Sequence, residues 1–296
     1  MLHRVSLGAA PGAGRWIPYL YIAPGLLVFA AFVLTPLVHA VWLSFFAWDG
    51  ITAPSWVGLG NYQRVAGDPA ISEAFTHSAM FFLFYSLLPI SLGLILAALM
   101  TRVPLRGLST YRVILFLPQV LSVVVIATSW RWMYDTDGIV NSILRLVGLG
   151  DLARAWLGDF DWALPALGLV GTWIMTPLTM ILFLAGIQRI PASLYDAARV
   201  DGAGPVAEFW AVTFPGLRNE ITVALVITAV AALRSFALVY VATRGGPGHS
   251  TTVPALWIYS RAFESGEVGY AAAIGVVLAA VIISGSFLIF RFMRSS

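Results

Sequence analysis

The ionisable residues of this chain narrow its chemistry before any fold is considered. There are 14 carboxylates, 4 histidines and 17 basic residues, the latter all arginine; cysteine and lysine do not occur. Without cysteine there is no thiolate nucleophile, no disulfide and no cysteine-held zinc. Without lysine a G-x-x-x-x-G-K-[ST] phosphate loop is impossible, so any ATP-driven work needs another subunit to bind the nucleotide. Neither H-E-x-x-H nor G-x-S-x-G occurs, and no pair of acids falls inside an apolar stretch, which leaves no catalytic set for an intramembrane enzyme. His39 and His77 have no second histidine or carboxylate at convincing ligand spacing, so no metal site is expected. One charge stands where charge is costly: Arg234, well inside an apolar stretch. It either lines a cavity or pairs with a neighbouring subunit. No proline occurs between Pro215 and Pro247, so the helix that carries Arg234 is expected to be unbroken.

The elements that must position these groups belong in a bilayer. With 59% hydrophobic and 10% charged residues, the chain cannot cover itself with a water-compatible surface. Its net charge of +3 is not a nucleic-acid signature. A hydrocarbon core of about 30 Å takes roughly 20 apolar residues in a helix. Six stretches qualify: 17 to 46, 74 to 100, 111 to 134, 163 to 187, 219 to 242 and 268 to 291. The first carries Pro24 and Pro36 and is expected to be tilted or kinked; its apolar run is too long for a cleavable signal peptide.

Six spans put both termini on one side. Ten arginines (4, 15, 102, 106, 112, 189, 199, 218, 291 and 294) lie with the termini, against six (64, 131, 145, 154, 244 and 261) opposite, and ten of the 14 carboxylates lie on that opposite side. The arginine bias places both termini and the 188–218 loop in the cytoplasm. The expected organisation is an all-α membrane protein with a tail over 1–16 and a six-helix domain over 17–292.

The 188–218 loop reads as two short helices. Pro191 suits a first turn, residues 192–200 favour helix, and Gly202 fits a left-handed residue after its end. Pro205 opens a second helix through Val212, and Pro215 is expected to break the chain before the next span. The small residues at Asp201-Gly202-Ala203 would let another protein approach the backbone closely. A re-entry loop lying on headgroups, with Phe209 and Trp210 as interfacial anchors, is the alternative.

Asp196-Ala197-Ala198, then Asp201-Gly202-Ala203, Phe209 and Pro215 resemble the "EAA" loop of permease subunits of binding-protein-dependent ATP-binding cassette importers, with aspartate at 196 in place of the usual glutamate. Other stretches are similar to sugar and glycerol-phosphate permeases: Gly58-Leu59-Gly60-Asn61-Tyr62, Phe116-Leu117-Pro118, Trp130-Arg131-Trp132 with Gly138 and Asn141, and Gly245-Gly246-Pro247-Gly248 with Thr251. The resemblance implies the type I importer, MetI-like permease fold in a bacterial cytoplasmic membrane. It also implies a second homologous permease, two ATPase subunits that hold ATP and magnesium, and an extracytoplasmic solute-binding protein. The chain itself would bind no cofactor and catalyse nothing. Asp196, Ala197, Ala198, Asp201, Gly202, Ala203, Phe209 and Pro215 would form the element that docks into the ATPase.

For the solute path, Gln119, Ser122, Trp173, Thr176 and Tyr240 offer hydrogen bonds and an aromatic face, with Arg234 as the charge. Serine and threonine in spans equally bond their own helix or knit helices together. The resemblance points to a sugar, with glycerol-3-phosphate or its diesters as the other solute class. An ion-coupled carrier would need titratable groups near the midplane, and Arg234 stands almost alone there. The acids 135, 137, 151, 159 and 161 of the third connection are either solvated loop residues or a docking face for the binding protein.

Overall fold

The computed structural model describes residues 16–102 and 108–294. Residues 1–15, with Arg4 and Arg15, and 103–107, with Arg106, lie outside the described residues, and so does most of the expected tail. Among the described residues, four helices are long and apolar enough to cross a membrane: Tyr19–Leu43, Pro69–Thr101, Ala163–Ile187 and Val268–Met293. Two bent pairs bring the number up to six if each is one span: Val113–Val120 with Val123–Met133, at 105°, and Pro205–Gly216 with Arg218–Leu233, at 69°. The only ladder among the described residues pairs Phe46 with Trp56 and Ala47 with Ser55 after the first span.

Two expected rods are broken. The stretch 111–134 forms Leu108–Val120 and Val123–Met133, with Ser122 extended at ψ 135 between them. Pro118 withholds one amide from the last turn of the first piece, so the helix has less to lose by turning there. The stretch 219–242 forms Arg218–Leu233 and Ala237–Ala242, which corrects the expectation of an unbroken helix around Arg234. Tertiary contact accomplishes here what proline does elsewhere. The Phe236 amide donates to the Arg234 carbonyl at 2.8 Å, and the Ser235 hydroxyl shares a 3.1 Å hydrogen bond with Tyr85 of the second span.

Proline is accommodated elsewhere by widening the helix. The amides of Thr35, Leu88 and Phe214 reach back five residues to the carbonyls of Ala30, Leu83 and Phe209, each closing a π turn. The residue after each donor is a proline: Pro36, Pro89 and Pro215. A wider turn moves the carbonyl that the pyrrolidine ring would strike. Pro215 itself lies within Phe214–Gly216, and the expected break before the next span comes just after it, where the chain bends by 69° into Arg218–Leu233. Pro89, lacking an amide, leaves the Phe84 carbonyl without its helical donor, and the Thr172 hydroxyl of the fourth span donates to it at 2.7 Å. In lipid such a carbonyl has no water to turn to.

The second span's Leu88–Arg102 half lies along Ala163–Ile187, with Met180, Phe183 and Leu184 buried between them and Leu217. Gly93 permits this approach, because a Cβ there would come within 2.9 Å of the Met180 amide nitrogen. Almost none of Tyr19–Leu43 is buried by the rest of the chain.

At the end opposite the 188–218 loop, Arg64 and Arg261 converge on one carboxylate. Arg64 donates to both oxygens of Glu267, at 2.6 and 3.1 Å, and Arg261 donates to Oε2 at 3.0 Å. Burial pushes the Glu267 carboxyl up, but hydrogen bonds and charge from Arg64 and Arg261 outweigh it, leaving the group below its ordinary 4.5. A lowered carboxylate pKa stabilises the fold above the unfolded value, and the benefit is lost as pH falls through the folded one. Thermal stability is therefore expected to fall on acidification from pH 5 to 3 (about the ordinary carboxylate range). Glu267→Gln should be less stable at neutral pH and flatten that profile in detergent melts.

Candidate functional site

The 188–218 loop is a closed helical hairpin. Ala192–Val200 starts after Pro191 and ends at Asp201, where Gly202 turns left-handed at φ 81. The Gly202 amide donates to Arg199 at 3.0 Å and the Ala203 amide to Ala198 at 2.9 Å, so the last carbonyls of the helix are satisfied by the turn itself. This is the left-handed cap expected from sequence. Pro205–Glu208, the π turn Phe209–Thr213 and Phe214–Gly216 make the return arm.

Two pairs of residues that sequence reading passed over hold the arms together. Glu208 is 5% exposed and accepts from Arg199 Nε at 3.2 Å; Arg199 also reaches Asp196 at 3.5 Å. Tyr195 and Thr213 share a hydrogen bond of 3.2 Å across the arms. The nine-residue spacing of Arg199 and Glu208 around a glycine turn was the available signal.

Phe209 packs against the cluster that buries Leu94, Phe183 and Leu217, so it anchors the hairpin to the spans. Asp196, Ala197, Asp201, Gly202 and Pro215 are exposed, and Ala198 and Ala203 half-buried. A Cβ on Gly202 would meet nothing within 4 Å. Val200, Val206 and Trp210 are exposed nearby at 87%, 72% and 59%, an apolar fringe that water alone does not favour.

A cavity of about 390 Å³ lies where the irregular backbone converges. Its wall includes Val123 at the start of the helix after the Ser122 turn, Arg234, Ser235 and Phe236 at the second break, and Tyr85 from the π turn of the second span. Non-helical backbone at membrane depth is tolerated where it lines such a space. Gly171 of the fourth span lets the Tyr85 ring lie across it, because a Cβ there would overlap that ring. Arg234 is exposed, and no carboxylate pairs with it among the described residues.

The other path candidates do not gather here. Trp173 and Thr176 line a separate, largely apolar groove of about 490 Å³ beside Pro118. Thr176 donates to its own helix at Thr172, 2.7 Å away. Ser122 is exposed at the turn, and Gln119 Oε1 is buried without a partner. Tyr240 lies farther along, in another cavity. Tyr85 and Ser235, which sequence reading did not single out, are the polar neighbours of Arg234. Of the acids in the third connection, Asp135 and Asp159 accept from their own turns, at Thr136 and at Asp161 and Trp162. That connection is organised by buried Asn141, which donates to the carbonyls of Asp135, Thr136 and Arg154 and accepts from Trp156. No group of three or more histidines or carboxylates suited to a metal occurs among the described residues.

Residues 89–295 match the family described as binding-protein-dependent transport system inner membrane component. The chain is 35% identical over 282 residues to the probable ABC transporter permease protein YurN of Bacillus subtilis, covering 94% of this chain and 96% of YurN. It is 32% identical to the diacetylchitobiose uptake system permease protein NgcF of Streptomyces coelicolor, covering 93% of this chain and 81% of that one. In fold it is similar to a chain of a bacterial ABC transporter involved in the import of the acidic polysaccharide alginate, with a TM-score of 0.81 at 22% identity over 95% of this chain and 96% of that one. Match, coverage and fold agree: the chain belongs to the binding-protein-dependent transport system inner membrane components, the permease subunits of ABC transporters.

Proposed function

We propose that this chain forms half of the translocation pathway of an ATP-driven saccharide importer in a bacterial plasma membrane. In this reading six spans cross the bilayer with both termini in the cytoplasm, the third made of Leu108–Val120 and Val123–Met133 and the fifth of Arg218–Leu233 and Ala237–Ala242. A second homologous permease completes the pore, two ATPase subunits hold ATP and magnesium, and an extracytoplasmic binding protein delivers the solute. The solute class follows the uptake permeases it resembles, NgcF for diacetylchitobiose and LacF of Rhizobium radiobacter for lactose.

The observation that carries the coupling role is the hairpin. It is braced internally by Arg199 and Glu208, exposed at its tip, and joined through a 69° bend to the helix that ends at Arg234. A rigid knob on that helix transmits displacement toward the cavity, and a nucleotide-driven partner that contacts it differently in two states would shift the equilibrium between them. The test is a mild-detergent pull-down from the native membrane. Co-purification of an ATPase, a second permease and a binding protein is expected; a chain that purifies alone and transports in liposomes without ATP would replace this reading with an ion-coupled carrier.

A further inference from the structure

A second cavity, of about 280 Å³, lies beyond Arg234 at the end of the molecule opposite the hairpin. Tyr240, Arg244, His249, Trp257, Arg261 and Glu264 line it. Three separate features mark it as built for a ligand.

The first is backbone. Arg244 has φ 53, and is the only non-glycine residue with a positive φ among the described residues. Arginine has no intrinsic reason to sit in the left-handed region, where its Cβ crowds the following carbonyl. The side chain so placed is exposed, lies 5.9 Å from the Tyr240 ring, and is in no ion pair among the described residues.

The second is unused hydrogen-bonding capacity. Trp257 Nε1 and Arg261 Nε are both buried without a partner, an arrangement folded chains avoid. They belong to two residues that wall the same cavity. Arg261 has its terminal nitrogen on Glu267, so the unmatched cation is Arg244; Glu264 is the acid that faces the cavity.

The third is a run of rings. Phe236 stacks on Tyr240 at 5.2 Å, Tyr240 meets Tyr259 at 5.1 Å, and Tyr259 meets Phe263 at 5.3 Å. Phe236 walls the Arg234 cavity and Tyr240 the outer one, so aromatic faces connect the two.

We infer that the outer cavity binds a saccharide unit bearing an anionic group before that unit reaches the Arg234 cavity. The Arg244 fork matches a carboxylate, a sulfonate or a phosphate. Glu264 accepts from hydroxyls, Tyr240 offers a flat face to the apolar side of a pyranose, and a modest turn of the Trp257 and Arg261 side chains would bring their unused donors to ring and hydroxyl oxygens. This rests on the saccharide-import reading and adds to it the charge of the solute and a site outside the central cavity.

The assembled importer in nanodiscs, without binding protein or nucleotide, tests it by saturation-transfer NMR with trigalacturonate and with neutral maltotriose. Trigalacturonate is expected to bind about tenfold more tightly, the worth of one charge-assisted hydrogen bond. Arg244→Gly should abolish that preference, and Arg244→Lys should keep part of it. Because glycine accepts φ 53 without strain, Arg244→Gly should melt no lower than the parent, which separates lost binding from lost folding. Equal binding of the two probes, binding of neither, or loss in Arg234→Ala with none in Arg244→Gly overturns the inference. ATP hydrolysis by the same preparation reports separately on the import reading, which stands or falls by that activity.

Discussion

Gly202→Asp is expected to reduce uptake to background while the chain still inserts and assembles with its partner permease. Two effects combine. At φ 81 an aspartate sits in the left-handed region, at a cost of about 1 kcal/mol, which the two capping hydrogen bonds of Ala192–Val200 can absorb. The larger effect lies outside this chain. A Cβ at 202 meets nothing within 4 Å, so the space around it is free for a partner's backbone, and a carboxylate there would be desolvated without a counter-ion. Gly202→Asn separates the two, because asparagine tolerates the left-handed region and brings no charge; it should transport better than the aspartate variant. Uptake assays beside quantified membrane assembly give the answer, and normal transport in Gly202→Asp would remove the hairpin from the coupling mechanism.

The second large effect is expected at Gly171. An alanine there overlaps the Tyr85 ring, which is 4% exposed and has nowhere to retreat without leaving Ser235. Overpacking of this kind costs about 1–3 kcal/mol. It also unties the break at Arg234–Phe236 from the second span, so uptake should fall by more than the loss of stability explains. Gly171→Ala with Tyr85→Leu, whose side chain is smaller but still fills the site, should recover part of the melting temperature and none of the transport. A single alanine variant that melts and transports like the parent would show that the Tyr85 ring is not fixed across the fourth span.

What could be read from the chain and what could not divides along physical lines. The apolar stretches, the hairpin and the left-handed Gly202 follow from composition, proline and glycine placement, all of them local. The break at Arg234 was not legible, because no proline or glycine marks it and the contact that meets it, Tyr85 with Ser235, joins residues 150 apart in sequence. Trp173 and Thr176 carry the right chemistry for a sugar, yet face a groove apart from Arg234, since which face a span turns inward is decided by its neighbours. Arg199 and Glu208 look like ordinary loop charges until the two arms fold together. Arg244 is legible in the sequence as a bulky charge beside the Gly245-Gly246-Pro247-Gly248 turn, where a small residue is usual, but its left-handed backbone is seen only in the fold.

The π turns before Pro36, Pro89 and Pro215 also act on rotational phase. Each inserts one residue, which turns everything downstream by about 100° relative to a continuous α-helix. In the second span, Pro69–Phe82 before the turn packs against Arg218–Leu233 and Pro254–Tyr259, whereas Leu88–Arg102 after it lies along Ala163–Ile187. One rod can thus show its apolar stripe to two sets of neighbours in different directions. A single helical wheel drawn over Pro69–Thr101 averages two stripes into none; two wheels, joined with a one-residue offset at Leu83–Leu87, would separate them.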